Sequence, residues 1–359
     1  VTGEWYRHVV RWVNCAFQRE RRTRRRLLAL VSWAVLRRRS VCLSELARAL
    51  PGPTAHHHKK KRLYRFLSQG RWEPFSLLLG VLPRVLERFG FRRGRVPLGL
   101  DWTPLRPEEQ ALVAAIPCQG RGIPLLVWAT SWTQIRRGTG RPDLEQAFVR
   151  HLVSALPAEV EPVLLADRGF GHVRFLRFLQ GLVRTLGRQV HFVVRLPGKI
   201  EVEHRGRSGL LGEWPLSPGE KLLLEGAWLR RDRAVRVNLV LVWQEGQKEP
   251  WFLATDLEDP QEAIRLYRQR AWIDELFRDW KSHFGLEESR VASVERLERL
   301  LVGLVVAYWV LAWVGLFGVS RRFVGQVISW GRASFVFLAL EYLQAHGPPQ
   351  GVLVWKPVR

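Results

Sequence analysis

The chain has 359 residues, 47% of them hydrophobic, and 57 Lys+Arg against 33 Asp+Glu leave a net charge of +24. That length and apolar share exclude a disordered chain and allow a large core, in two domains plus an insertion. Cys15, Cys42 and Cys118 are scattered with no CxxC spacing, which excludes a disulfide framework or zinc site and fits a reducing cytoplasm.

The charge is unevenly spread. Residues 1–100 hold 23 Lys/Arg and 5 Asp/Glu, so +18 lies there and +6 in the remainder. A GC-rich genome accounts for Arg over Lys but not for missing acids at one end. A basic module that meets a polyanion, most simply nucleic acid, accounts for both. The chain contains no Met and begins at Val1, as a GTG start codon read literally would produce.

Taken in order, residues 1–95 read as a helical basic domain, with apolar positions at helical spacing through Ala29–Leu36, Leu43–Leu50 and Leu63–Leu67. Arg21–Arg26 followed by LLALVSWAVL imitates a signal peptide, but Arg37, Arg38 and Arg39 stand where a small-residue cleavage site belongs. A buried amphipathic helix is the better expectation. LSELARAL, the Pro51-Gly52-Pro53 break and KKKRLYRFL are compatible with a helix-turn-helix pair. Lys59, Lys60, Lys61, Arg62 and Arg65 would then meet DNA, and His56, His57 and His58 would lie in a solvated loop.

From Val96 the pattern shifts to short apolar runs divided by Gly and Pro. VPLGL, ALVAAIP and IPLLVWAT read as strands, and CQGRG as a hairpin connection between the last two. DLEQAFVRHLVSAL and FLRFLQGLVRTLG read as helices, EPVLLA and HFVVRL as strands. Residues 96–196 therefore form the first part of an α/β core: a mixed sheet covered by helices. Residues 197–250 carry β-type runs and read as a small β insertion. Residues 251–345 return to the core, and 346–359 form a tail.

Two helices stand out in that last part. Leu300–Val319 is uncharged and long enough to span a bilayer, but as the sole such segment, with Gly303 and Gly315, it reads as a core helix covered on all sides. Tyr267–Lys281 has no Gly or Pro and reads as one continuous helix. On a helical wheel Tyr267, Arg270, Asp274, Arg278 and Lys281 share one arc, and Ile273, Leu276, Phe277, Trp280 and Phe284 fill the neighbouring one. The polar arc also has a plain explanation in i,i+4 ion pairs on a solvated face.

Its company favours chemistry. Asp101 follows VPLGL and Asp167 follows EPVLLA, each where a strand ends. Three carboxylates from distant segments are what a pair of Mg2+ ions needs for phosphoryl transfer: Asp101 bridging, Asp167 and Asp274 completing either side. Arg270, Arg278 and Lys281 would neutralise DNA phosphates, and Tyr267 would hydrogen-bond a phosphate or stack on a displaced base.

On these residues the chain resembles bacterial insertion-sequence transposases of the DDE type, in the subgroup with a Y-x2-R-x3-E-x6-K signature. The signature stands here as Tyr267, Arg270, Asp274 and Lys281 with every spacing kept, and the first two acids match Asp101 in LGLDWTPL and Asp167 in LLADRGFG. The resemblance extends over nearly the whole chain. It implies a ribonuclease-H-like core, two Mg2+ ions with Mn2+ able to substitute, and a homodimeric synapse without a membrane. It further implies cut-and-paste movement of an element through its terminal inverted repeats. One departure is that the third acid is Asp274 where the family has Glu, with Glu275 beside it as the alternative ligand. A stand-alone metal-dependent nuclease or a decayed copy that only binds DNA remains the alternative.

Overall fold

The computed structural model describes residues 2–138, 140–229, 234–319 and 334–346. The fold divides into two compact units, one of residues 1–92, 102–136 and 274–359, the other of 93–101 and 137–273. Among the described residues the strands are β1 Gly94–Arg106, β2 Glu109–Cys118, β3 Arg121–Ser131, β4 Val160–Ala166, β5 His191–Arg195, β6 Glu201–His204, β7 Arg207–Leu210, β8 Lys221–Leu229, β9 Val235–Val242 and β10 Trp251–Thr255; β2 and β3 pair as a hairpin, and the first half of β1 opens the order β1-β4-β5-β10-β9-β8-β6-β7.

The unit of residues 93–101 and 137–273 is an α/β assembly. The first half of β1 pairs parallel with β4, from Gly94↔Val160 to Leu100↔Ala166, and β4 pairs parallel with β5. Helices α6 (Trp132–Arg137) and α7 (Arg141–Ala155) precede β4, and the crossover between β4 and β5 is helix α8 (Val173–Leu186), as a parallel connection requires. β10 then returns antiparallel to β5, and β9 and β8 follow antiparallel in turn. The strands of 201–242 thus extend this sheet rather than stand beside it as a separate module.

Both faces of the sheet are covered. Val163, Leu165, Val193, Val240, Val242 and Leu253 form one core cluster with Ala263, Ile264, Leu266 and Tyr267 of α9 (Pro260–Arg270). Leu164, Phe192, Leu239 and Leu241 alternate to the opposite face and are as fully buried. Strands buried on both faces read as continuous apolar runs, which is why EPVLLA and HFVVR carry no polar alternation. α9 begins where Asp259 caps Gln261 N–H and Pro260 occupies the first turn.

The other unit is mostly helical: α1 (Thr2–Ala16), α2 (Arg22–Arg38), α3 (Leu43–Ala49), α4 (His56–Leu67) and α5 (Pro74–Arg88), with the β2–β3 hairpin and α10 (Trp272–Ser282), α11 (Val294–Trp313) and α12 (Phe335–His346). The CQGRG connection is a tight hairpin turn, Gln119 and Gly120 both having positive φ (43° and 84°) and Cys118 pairing Arg121. α11 is the unit's axis. Every residue from Leu297 to Trp313 is buried, against α1, α2, α4, α5, α12 and β3. Gly303 permits closest approach: a Cβ there would meet Val31 Cγ1 of α2 at 2.5 Å. The apolar stretch is long enough to cross a membrane, and 83% of its most apolar window lies inside the fold.

Two expectations change and a third holds. The signature segment is not one helix: Ala271 interrupts it as a turn residue between α9 and α10. His56–His58 are not a loop but the exposed first turn of α4, and His56 Nε2 lies 2.9 Å from the Ser44 carbonyl of α3. The stretch after the basic run Arg21–Arg26 is the buried side of α2, Leu28–Val35. The tail from Gly347 onward lies outside the described residues.

Candidate active site

Register places the first group of residues. Leu100 pairs Ala166, so Asp101 and Asp167 follow the last paired positions of two neighbouring parallel strands. In an open α/β sheet the carboxyl ends of parallel strands are where ligands bind. Counting by twos, Gly99, Leu165, Val193 and Arg195 share the face that α9 covers, and so does Asp101. α9 ends at Arg270, which delivers its guanidinium to that point; β1 itself runs on to Arg106, so Asp101 lies within its strand and not at its end as expected.

There Arg270 Nη2 ion-pairs with Asp101 and lies 3.8 Å from Asp167 Oδ2. Asp101 is 8% exposed and Asp167 more open. Asp167 also accepts from Gly169 N–H at 2.8 Å, capping the short 3-10 turn Arg168–Phe170. The turn is pressed against the end of β5. A Cβ at Gly171 would stand 2.3 Å from the Arg195 carbonyl, so the D-R-G-F-G run needs glycine there.

Tyr267 is not an exposed signature residue. Its ring is 6% exposed, in the sheet core, and meets Trp251 edge-on at 5.0 Å between centroids. Stacking on a displaced base is therefore closed to it in this conformation. Burial pushes its phenol up to about 12, against the opposing charges of Arg270 and Arg195 and with that of Asp167. The Arg195 guanidinium, whose charge opposes that rise, donates to Glu249 at 2.7 Å, and Glu249 also lies 3.4 Å from Arg168. Arg168, Arg195 and Glu249 escaped sequence reasoning; the only signal for Arg195 was its place at the end of a core strand.

The remaining signature residues belong to the helical unit. Asp274 and Glu275 form the first turn of α10, and Lys281 its last. Glu275 is held by Arg278 at 2.8 Å and by Arg121 of β3 at 3.1 Å, while Lys281 pairs with Glu287 at 3.0 Å. Ile273, Leu276, Phe277, Trp280 and Phe284 are all buried, as the wheel predicts. Asp279, which the wheel did not single out, is buried on the same helix. It accepts from Tyr308 Oη of α11 at 2.8 Å and Arg121 Nε at 3.0 Å, and burial pushes its carboxyl up despite Arg121.

The basic residues of α4 divide. Leu63, Phe66 and Leu67 face inward, while Lys60, Lys61, Arg62 and Arg65 are exposed. Lys59 instead donates to the Leu50 carbonyl at 2.7 Å and ties α4 to the end of α3.

Among the described residues, no group of three His, Cys, Asp or Glu side chains is gathered closely enough to hold a metal. Asp101 and Asp167 do share one cation, the Arg270 guanidinium, and a pair of carboxylates already sharing a positive charge is the donor set a hard divalent ion takes.

Residues 139–310, just under half of the chain, match the family model of the transposase DDE domain. The match includes Asp167, α9 and α10 and begins after Asp101. It supports a place for the chain among DDE transposases. No curated protein matches the chain.

Proposed function

We propose that this DDE-domain chain is the transposase of a bacterial insertion sequence, which cuts DNA at the element's terminal inverted repeats and joins the freed ends to a target. The observation that carries the reading is the pair Asp101 and Asp167, each just past the last parallel pairing of β1 with β4, bridged by Arg270. The transposase DDE match over 139–310 supports it.

Asp101, Asp167 and Asp274 would hold the Mg2+ ions. Asp274 is preferred to Glu275 because it stands at the third-acid position of the signature, with its spacing to Arg270 and Lys281 kept. When bound, Mg2+ or Mn2+ neutralises phosphate charge and lowers the pKa of a water. The chain's own residues do the rest. Arg270, placed between the two carboxylates, would present its planar fork to a backbone phosphate of the seated strand. Tyr267, locked in the core by Trp251, keeps the end of α9 in place. Water attacks the phosphodiester at the element's end and leaves a 3′-hydroxyl. That hydroxyl then displaces a 3′ oxygen of the target strand in line, so one phosphodiester forms as another breaks.

The exposed cations of α4 would carry sequence-independent contacts to DNA. The reading also entails a homodimer at the paired ends and work on the nucleoid in the cytoplasm, without a membrane. Cleavage and strand transfer on DNA bearing the gene's flanking inverted repeats, with Mg2+ or Mn2+, tests it. Joining should be lost in Asp101→Ala and Asp274→Ala and kept in Glu275→Gln. Binding without cleavage under either metal would leave a decayed copy that only binds DNA, and cutting without end preference would leave a nuclease.

A further inference from the structure

Glu249 lies in the turn between β9 and β10, and its side chain is 57% exposed. An acid so placed is ordinarily satisfied by water. Glu249 instead divides its two oxygens between two arginines: Oε1 accepts from Arg195 Nη2 at 2.7 Å, and Oε2 lies 3.4 Å from Arg168 Nη1. Arg195 ends β5 on the face that holds Asp101, and its charge acts on the Tyr267 phenol. Arg168 directly follows Asp167 in the turn pressed against β5. Among the described residues Glu249 is the one carboxylate ion-paired with either arginine. Two guanidiniums closing on one anion through separate oxygens is how arginines take a phosphate.

We propose that Glu249 is an internal stand-in for a DNA phosphate, occupying Arg168 and Arg195 in the free protein until a seated strand displaces it. This rests on the DNA-processing reading above. The pair with Arg168 is exposed on both sides and weak, and the pair with Arg195, itself 18% exposed, is reached by solvent through Glu249, so a phosphate held in place by the rest of the chain outcompetes both. A stray duplex has no such support and meets arginines already neutralised. Glu249 thus biases the site against unspecific nucleic acid without blocking the substrate.

The test uses the full-length chain and a fluorescein-labelled random-sequence duplex, read by anisotropy over a salt series. Glu249→Gln should bind about 3- to 10-fold tighter, the size expected from freeing one exposed and one partly exposed ion pair. The slope of log K against log salt should steepen by up to about 1, as one more phosphate is neutralised without a competing carboxylate. Glu258→Gln removes the same charge from an exposed acid of the same unit that has no ion pair among the described residues, and should gain clearly less. In an Arg168→Gln background the gain from Glu249→Gln should shrink. If the unaltered chain binds the duplex and Glu249→Gln binds no tighter than Glu258→Gln, the stand-in role is refuted and the DNA reading stands. If the unaltered chain binds no duplex even at low salt, the DNA reading fails and the stand-in role fails with it.

Discussion

Asp279 is five residues beyond Asp274 on α10, and it fixes how that helix is turned. Its carboxylate, 2% exposed, holds Tyr308 Oη of α11 at 2.8 Å and Arg121 Nε of β3 at 3.0 Å. Asp279→Ala removes the acceptor for both. Breaking a buried charged pair costs about 3–5 kcal/mol, and Tyr308 would keep a buried hydroxyl without its acceptor. Arg121 is 20% exposed and retains Glu275 at 3.1 Å, so its charge is not orphaned and the lower end, about 3 kcal/mol, applies. Tyr308→Phe, which removes one hydrogen bond to a charged acceptor, should cost about 1.5 kcal/mol. Since both changes remove the same bond, their costs should fall short of additivity by about 1 kcal/mol. Urea unfolding followed by far-UV circular dichroism measures all three. An Asp279→Ala variant within about 1 kcal/mol of the parent, or fully additive costs, would refute the network as an anchor.

Further outcomes follow from other parts of the fold. Glu298 of α11 is buried, and burial pushes its carboxyl up to about 8, opposed by the Ala129 N–H and assisted by Glu73. With the folded pKa above the ordinary 4.5, its contribution is fully present below about pH 4.5 and lost as pH rises toward 8. Glu298→Gln should flatten the decline of stability between those values, visible in melting temperatures taken across that range. Gly303→Val places carbon where Val31 already stands and should destabilise by about 1–3 kcal/mol through overpacking, measured by the same urea titration. Replacing Lys60, Lys61 and Arg65 together by Gln should leave the melting temperature unchanged. If each meets a phosphate, the salt slope of DNA binding should fall by about 0.9 per residue.

Local features were readable because they depend on neighbours in the chain. The 119–120 hairpin, the strands EPVLLA and HFVVR, and the buried arc from Ile273 to Phe284 each follow from a short-range period or turn chemistry. The meeting of Asp101 with Asp167 depends on the parallel pairing of β1 with β4, which no period in the sequence encodes. The helical wheel set Tyr267 among the exposed cations because it carries the period past Ala271 and ignores Trp251, which buries the ring. Glu249 sits in an aperiodic turn, and nothing in its neighbours announces that both its oxygens are taken.

The burial of α11 also bears on how the chain is made. The helices and strand that enclose it, α1, α2, α4, α5 and β3, leave the ribosome well before residues 294–313. Until then the faces that will close on Leu297–Trp313, Val31 opposite Gly303 among them, have nothing apolar to cover them. Contacts between such distant parts of a chain form slowly, and half-made sticky surfaces invite aggregation. A chain halted before Val294 should therefore be insoluble rather than a free-standing basic module, and holdase chaperones should find their grip on the nascent protein there.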